Sequence, residues 1–304
     1  MLYIPSDMNL KESVMRKNLN QQLKDAFLAL DEERAKSLLA AGADKKRRIR
    51  NKMLMGSISE TCWDCNTERT KRMKLLLANG ANPNWIDPHP SSFETPLLES
   101  LMLRNFEQAQ ILVDNGARVD KSTFGEPLFT YQAGRVDDGF VCMKFLYKNG
   151  ANINIKDDQG RTGLMRVCSF GDVLEPEIFY DTEWIIKPVN FLVSHGAKVN
   201  LRDKSGKSAL IHSLSQKWGD WDNCKCDEYD NYEYAEAKDN FSEIFYYEIP
   251  TILLSNGAHV GIKDKSGKNA MNYAAADEEK MDLFARAIND SNKFLHRKIF
   301  VMSR

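Results

Sequence analysis

No stretch of this 304-residue chain approaches the ~18 apolar residues of a membrane-spanning helix. Residues 1–20 mix polar and charged side chains, with no apolar run of signal-peptide length. Net charge is also missing. Lys+Arg number 42 against 43 Asp+Glu, so the formal balance is −1 and no global preference for acidic or basic partners can be argued. Cysteine is sparse, at positions Cys62, Cys65, Cys142, Cys168, Cys224 and Cys226. In a chain without a secretory leader these are expected as free thiols of a reducing compartment rather than disulfides. A cytoplasmic protein without a membrane segment is therefore expected, although delivery by a route that needs no N-terminal leader is compatible. The sequence has no Gly-rich phosphate loop, no nucleophile with a positioned base and no paired carboxylates on a defined pocket. An enzyme is not expected, and no cofactor is expected.

What the chain does have is repetition. The pattern Leu-x-x-x-Gly-Ala-x-x-Asn, or a close variant, recurs from Leu38, Leu76, Leu112, Leu146, Leu192 and Leu253. The glycines are Gly42, Gly80, Gly116, Gly150, Gly196 and Gly257, spaced 38, 36, 34, 46 and 61 residues apart. A period near ~33 residues marks a helical repeat array, in which each unit hides its apolar face on the next. With 42% hydrophobic residues the chain has ample material for such a core.

The third unit carries a family resemblance. Thr95-Pro96-Leu97-Leu98-Glu99-Ser100 resembles the Thr-Pro-Leu-His-x-Ala signature of ankyrin repeats, and Phe106 to Val113 stands where the second helix of such a repeat lies. Threonine before a first-turn proline can cap a helix, and glycine after Ile111, Leu112 and Val113 can end one. The resemblance covers roughly residues 20–290 and implies an all-α ankyrin-repeat solenoid of helix-turn-helix units with β-turn fingers, about six to seven repeats counting caps. The signature histidine is absent throughout, so stacking is expected to rest more on apolar contacts.

Later units open on Asp-x-x-Gly-x-[Thr/Ser/Asn], at Asp157–Thr162, Asp203–Ser208 and Asp264–Asn269. Each aspartate lies seven residues after its preceding glycine, so finger length is constant and any surplus lies elsewhere. Gly125-Glu126-Pro127-Leu128 reads as a shortened version. A single domain is expected over 1–304: an N-terminal cap repeat at 20–44, internal repeats at 45–268, and a C-terminal cap repeat with its tail at 269–304. Leu23, Phe27, Leu30, Leu38 and Leu39 would open the array as a helical pair. Met271, Tyr273, Ala274, Met281, Phe284 and Ile288 would close it, with a short extra helix in the tail. The surplus is expected between paired helices, near 170–187 and 217–248. Phe245, Tyr246 and Trp184 could equally be core residues of lengthened second helices.

The inserts are acidic and aromatic, with Trp218, Trp221, Tyr229, Tyr232 and Tyr234 among ten acids between Lys217 and Glu248. Acidic charge steers a basic partner and aromatics anchor interfaces. The finger edge has the opposite sign, with Lys156, Arg161, Arg202, Lys204, Lys207, Lys263, Lys265 and Lys268 around the turn aspartates. By the resemblance, Asp158, Gln159, Arg161, Ser205, Lys207 and Lys268 would touch a partner, with Glu99 and Arg166 on first helices; Lys204 and Lys265 complete the basic candidates. Residues 45–52 hold six cations, Lys45, Lys46, Arg47, Arg48, Arg50 and Lys52. That run could touch nucleic acid or serve as a localisation-like tract, but such runs are more often a solvated linker or a helix face paired with acids, and this one lacks the interleaved aromatics of single-strand binders.

Cys62-x-x-Cys65 and Cys224-x-Cys226 are the metal-like spacings, but the repeats would hold the two pairs too far apart for one tetrahedral site, and no metal is expected. His195 and His259, beside the helix-ending glycines, are expected as cations capping helix C-termini. His212, on a first helix, is the candidate for a buried or inter-repeat hydrogen bond. The expected function is a monomeric, non-enzymatic scaffold that binds another protein. Its use as a delivered effector or as an immunity protein against a basic toxin is compatible. The rival of another class is a metal or catalytic site built from residues 218–226.

Overall fold

Helices begin where the sequence supplies caps. In this computed structural model Thr95 has extended backbone, and its Oγ1 accepts the Leu98 N–H at 3.2 Å, starting α5 (Pro96–Met102). Thr162 opens α9 (Gly163–Val167) and Ser208 opens α11 (Ala209–Leu214) by the same bond. Asn269 opens α13 (Ala270–Ala274) through a reciprocal capping box with Asn272. The structure describes residues 6–59, 66–86, 95–120, 122–123, 126–135, 139–169, 183–216 and 239–302.

The recurring Leu-x-x-x-Gly-Ala has a local cause. After each second helix the glycine turns left-handed, with Gly80 at φ 82° and Gly150 at φ 88°. That lets the following Ala N–H reach back to the Leu carbonyl: Ala81 to Leu76 at 2.9 Å, Ala151 to Leu146 at 3.0 Å, Ala197 to Leu192 at 2.9 Å. This is the hydrogen bond of a glycine-terminated helix, and Leu76, Leu146 and Leu192 are all fully buried beside it.

The chain's contacts divide it into two compact units, Met1–Val119 and Asp120–Arg304. In the first, α1 (Ser6–Leu28) packs on α2 (Glu32–Ala40), α3 (Arg48–Ser59) on α4 (Asn66–Ala78), and α5 on α6 (Phe106–Asp114). Leu23, Phe27, Leu54, Met73, Leu76 and Leu97 form its interior. The second opens with a short antiparallel pair, β1 (Ser122–Thr123) with β2 (Glu126–Pro127), Ser122 facing Pro127. Then α7 (Leu128–Ala133) packs on α8 (Gly139–Lys148) and on α9, and α9 packs on α10 (Glu183–Ser194). Next α11 packs on α12, a helix described from 239 onward, through a π-helical stretch, Glu243–Glu248, into Ile249–Ser255. Helix α14 (Glu278–Met302) closes the unit over α12 and α13. Phe129, Leu164, Leu210, Phe245 and Phe284 make the core.

Beside the apolar contacts expected to carry more of the stacking, side-chain hydrogen bonds also join successive repeats. Asn84 Nδ2 donates to Gly116 O at 2.7 Å while its Oδ1 accepts the Arg118 N–H at 2.8 Å. Asn154 clamps Gly196 O and Lys198 N–H in the same way (3.2 and 2.8 Å), and Asn200 clamps Gly257 O and His259 N–H (2.8 and 2.9 Å). Each is the motif's last residue, four after its own glycine, and its amide supplies the one donor and one acceptor the next repeat's turn needs. Asp120, at the same place, has no donor and only accepts, from Asn152 N–H at 3.2 Å. In the last copy the position is Gly261, with nothing to clamp.

Three expectations change. Residues 183–187 and 239–248 are helical rather than part of the expected inserts, and 170–182 and 217–238 lie outside the described residues. Phe241, Ile244, Phe245 and Tyr246 are buried core of α12. The π-helical stretch precedes Pro250, which has no N–H to donate, and the carbonyl of Phe245 is taken instead by Ser213 Oγ from α11. The tail forms no separate helix: α14 continues unbroken to Met302. Leu30 sits in the turn after α1 with φ 57°, not on a helix.

Candidate partner-binding edge

Each finger is built around a buried aspartate. Asp157 Oδ1 accepts the N–H groups of Gln159 and Arg161, both at 2.8 Å, and the Asp157 N–H returns to Arg161 O at 2.9 Å. Asp203 repeats this with Ser205 and Lys207, and Asp264 with Ser266 and Lys268. Asp and Asn favour such turns because a short side chain can stand in for a backbone acceptor. The second carboxylate oxygen is tied differently each time: to Arg161 Nε (2.8 Å), to His212 Nε2 (2.9 Å) and to Tyr273 Oη (2.6 Å). His212 is thus buried, and its bond stays within its own unit of the repeat.

The three fingers are joined edge to edge. Lys204 N–H donates to Gln159 O and Lys265 N–H donates to Ser205 O, both at 2.8 Å. Lys156 Nζ reaches Arg202 O (2.8 Å), and Arg202 Nη2 reaches Lys263 O (2.7 Å). Glycine is required where these turns meet. A Cβ on Gly206 (φ 85°) would stand 3.0 Å from Lys265 N, whereas one on Gly267, in the last finger, meets nothing within 4 Å.

This geometry sorts the residues picked out from sequence. Asp158, Gln159, Lys204, Ser205, Lys265 and Lys268 are exposed along the joined tips. Ser205 Oγ is held by Asp203 (2.7 Å). Arg161 is half-buried in its ion pair with Asp157. Lys207 is half-buried, with Nζ 3.3 Å from Ser215 Oγ and 5.3 Å from the Tyr273 ring centre; Lys268 Nζ lies 5.9 Å from that centre. Arg166 stands apart on α9, its Nε 3.5 Å from Glu126. Glu99 belongs to the first unit. Trp218, Trp221, Tyr229, Tyr232 and Tyr234, with Cys62, Cys65, Cys224 and Cys226, lie outside the described residues. Cys142 and Cys168 are buried free thiols, and burial pushes the Cys168 thiol well up.

Sequence reasoning missed Tyr273, which braces Asp264 beneath two lysines. The signal was its spacing: Tyr273 follows its turn aspartate by nine residues, as His212 follows Asp203. The histidine pair also needs correcting. His195 Nδ1 lies 2.8 Å from Phe191 O in the last turn of α10, as a C-terminal cap should. His259 is two residues past its glycine, and what holds it is its backbone N–H on Asn200.

Electrostatics reinforce the turns. Burial opposes charge on Asp203, but hydrogen bonds from His212, Ser205 and the Lys207 backbone outweigh it and hold the carboxyl well below the usual range. Asp264 behaves likewise: burial is outweighed by Tyr273, Ser266 and Lys268, which bring it down to about 2. Burial and the Asp264 bond together push Tyr273 up to about 12. Burial raises Glu126 despite the facing Arg166.

No family model matches the chain. A curated ankyrin repeat protein of Acanthamoeba polyphaga mimivirus is 27% identical over 136 residues, which is 39% of this chain. The matched stretch spans 23% of that relative's length. Among solved structures, an ankyrin repeat domain from Acinetobacter baumannii AYE superposes with TM-score 0.51 at 17% identity, covering 80% of this chain and 95% of that one. A second solved ankyrin repeat protein gives TM-score 0.51 at 19% identity, covering 78% and 96%.

Proposed function

We propose, from the premise that this chain is an ankyrin-repeat protein, that it is a non-enzymatic scaffold binding a partner protein along its fingers. Ankyrin repeats are in general protein-binding modules. The observation that carries the reading is the row of three fingers at Asp157–Arg161, Asp203–Lys207 and Asp264–Lys268. Backbone hydrogen bonds join neighbouring tips, a buried carboxylate locks each turn, and Lys204, Lys265 and Lys268 point their charge outward. Such an edge is already ordered before it meets anything, so little conformational entropy is lost on binding. Its charge suits an acidic patch on the partner.

The experiment is charge reversal. Lys204→Glu, Lys265→Glu and Lys268→Glu together should leave stability within about 0.5 kcal/mol, since all three are exposed. Proteins that co-purify with the native chain should be lost by the variant, as measured by quantitative affinity capture. Retention of every captured protein at unchanged yield would refute binding at this edge. A use as effector or immunity protein would follow from the partner's identity, which the same capture supplies.

A further inference from the structure

The cationic run at residues 45–52 takes no part in the finger edge, and its geometry differs from what its sequence suggests. The turn between α2 and α3 is folded around Asp44, the one acid in the stretch. Asp44 turns inward, its side chain 2% exposed: Oδ1 accepts the Ile49 N–H and Oδ2 the Arg50 N–H, both at 2.9 Å. Arg50 is consumed in the same place. Its Nε pairs with Asp44 at 3.0 Å, Nη2 donates to Asp44 O at 3.1 Å, and Nη1 donates to Asn79 O at the end of α4. The sole carboxylate of the turn therefore spends its charge on the interior.

The other five cations, Lys45, Lys46, Arg47, Arg48 and Lys52, are all exposed. Among the described residues none of their side chains has a carboxylate or hydrogen-bond partner, so of the two readings of this run the pairing with acids is not found. Their placement works against the fold. They crowd the N-terminal end of α3, where the helix dipole disfavours positive charge; no acid stands in that helix's first turn, and the capping Asp44 is already paired with Arg50. Arg48 and Lys52 are four apart on α3, a like-charge pairing that also destabilises. Uncompensated charge held at the wrong end of a helix is what an anionic ligand would neutralise.

We infer that Lys45, Lys46, Arg47, Arg48 and Lys52 form a docking surface for the sugar-phosphate backbone of duplex nucleic acid, read without regard to sequence. Charge density favours this occupant: a duplex offers one negative charge per ~1.7 Å of axis, and the five cations fall within eight residues. The turn presents no exposed aromatic for base stacking, which excludes a single strand. It presents no exposed apolar anchor either, Ile49 being half-buried, which argues against a lipid surface and against a protein hot spot.

The test is fluorescence anisotropy with a labelled mixed-sequence RNA duplex and a DNA duplex. The native chain should bind either, losing about 10²–10³ in affinity between about 50 and 200 mM salt, the slope five phosphate contacts give. Replacing all five by glutamine should abolish binding while leaving the helical circular dichroism unchanged. Lys45→Arg, Lys46→Arg, Arg47→Lys and Arg48→Lys, which keep the charge, should bind as the native chain does. The proposal is overturned if the glutamine variant retains its affinity, if duplex binding is not detected, or if phosphatidylserine vesicles or polyglutamate compete as well as duplex. The finger-edge lysines are untouched by these variants, so the outcome is independent of the partner reading above.

Discussion

The turn at Asp44 and the fingers at Asp157, Asp203 and Asp264 use one device to opposite ends. In all four a buried or nearly buried carboxylate gathers backbone N–H groups, and lysines and arginines surround it. In the fingers Lys156 and Arg202 donate to the neighbouring finger's carbonyls, Arg161 pairs with its own aspartate and Lys207 reaches Ser215, so four of the eight cations serve the fold. In the Asp44 turn Arg50 is used in this way, while among the described residues the side chains of the other five cations have no partner. A count of charges along a sequence is therefore not a count of charges on offer. What decides is whether a free carbonyl or carboxylate lies within a side chain's reach.

The largest test of that contrast is Asp44→Ala. It removes the cap of α3 and leaves the nearly buried Arg50 without its counter-ion, so urea denaturation should show a loss of about 3–5 kcal/mol. A loss below 1 kcal/mol would mean that the pair is solvated and the comparison fails. Next comes Asn200→Ala, which deletes both bonds of a clamp between repeats and should cost about 1–3 kcal/mol. Asn200→Asp keeps the acceptor and loses the donor, imitating Asp120, and should cost less than the alanine change in the same assay.

Gly206→Ala and Gly267→Ala separate finger-to-finger contact from local backbone strain. Both place a side chain at positive φ, costing about 1–2 kcal/mol, but only the first drives a Cβ against the next finger. Thermal melts should rank Gly206→Ala clearly lower; equal melting temperatures would show that the tips are not pressed together. The smallest effect is expected for Tyr273→Phe, about 1 kcal/mol at neutral pH. Its signature is in acid. The Asp264 carboxyl lies at about 2 in the folded protein, below its ordinary 3.8, so its contribution is fully present above pH 4 and is lost as pH falls toward 2. Removing the tyrosine hydroxyl raises that value, and the acid-unfolding midpoint should move to higher pH; a midpoint that stays put would show that the hydroxyl does not hold the charge.

Much of the array was legible beforehand because its signals are local. Glycine must follow Leu112 and Leu146 for the helix to end left-handed, threonine or serine must precede α5, α9 and α11 to cap them, and both leave fixed spacings. The asparagine clamp was visible as a recurring letter but not as a bond, because its partners lie 32 to 59 residues away. The π-helical turn of α12 was hidden for a related reason: Pro250 announces a lost donor, yet only Ser213 on α11 shows where the freed carbonyl goes.

The sequence by itself determined the helix-turn-helix repeat, its period and the ends of its helices, since propensity, capping and glycine stereochemistry act over a few residues. Tertiary structure alone decided which charges are free. Whether Arg202 spans to Lys263, or Asp44 turns inward and leaves Lys45 bare, depends on carbonyls and carboxylates brought near by packing, and hydrogen bonds act only at contact.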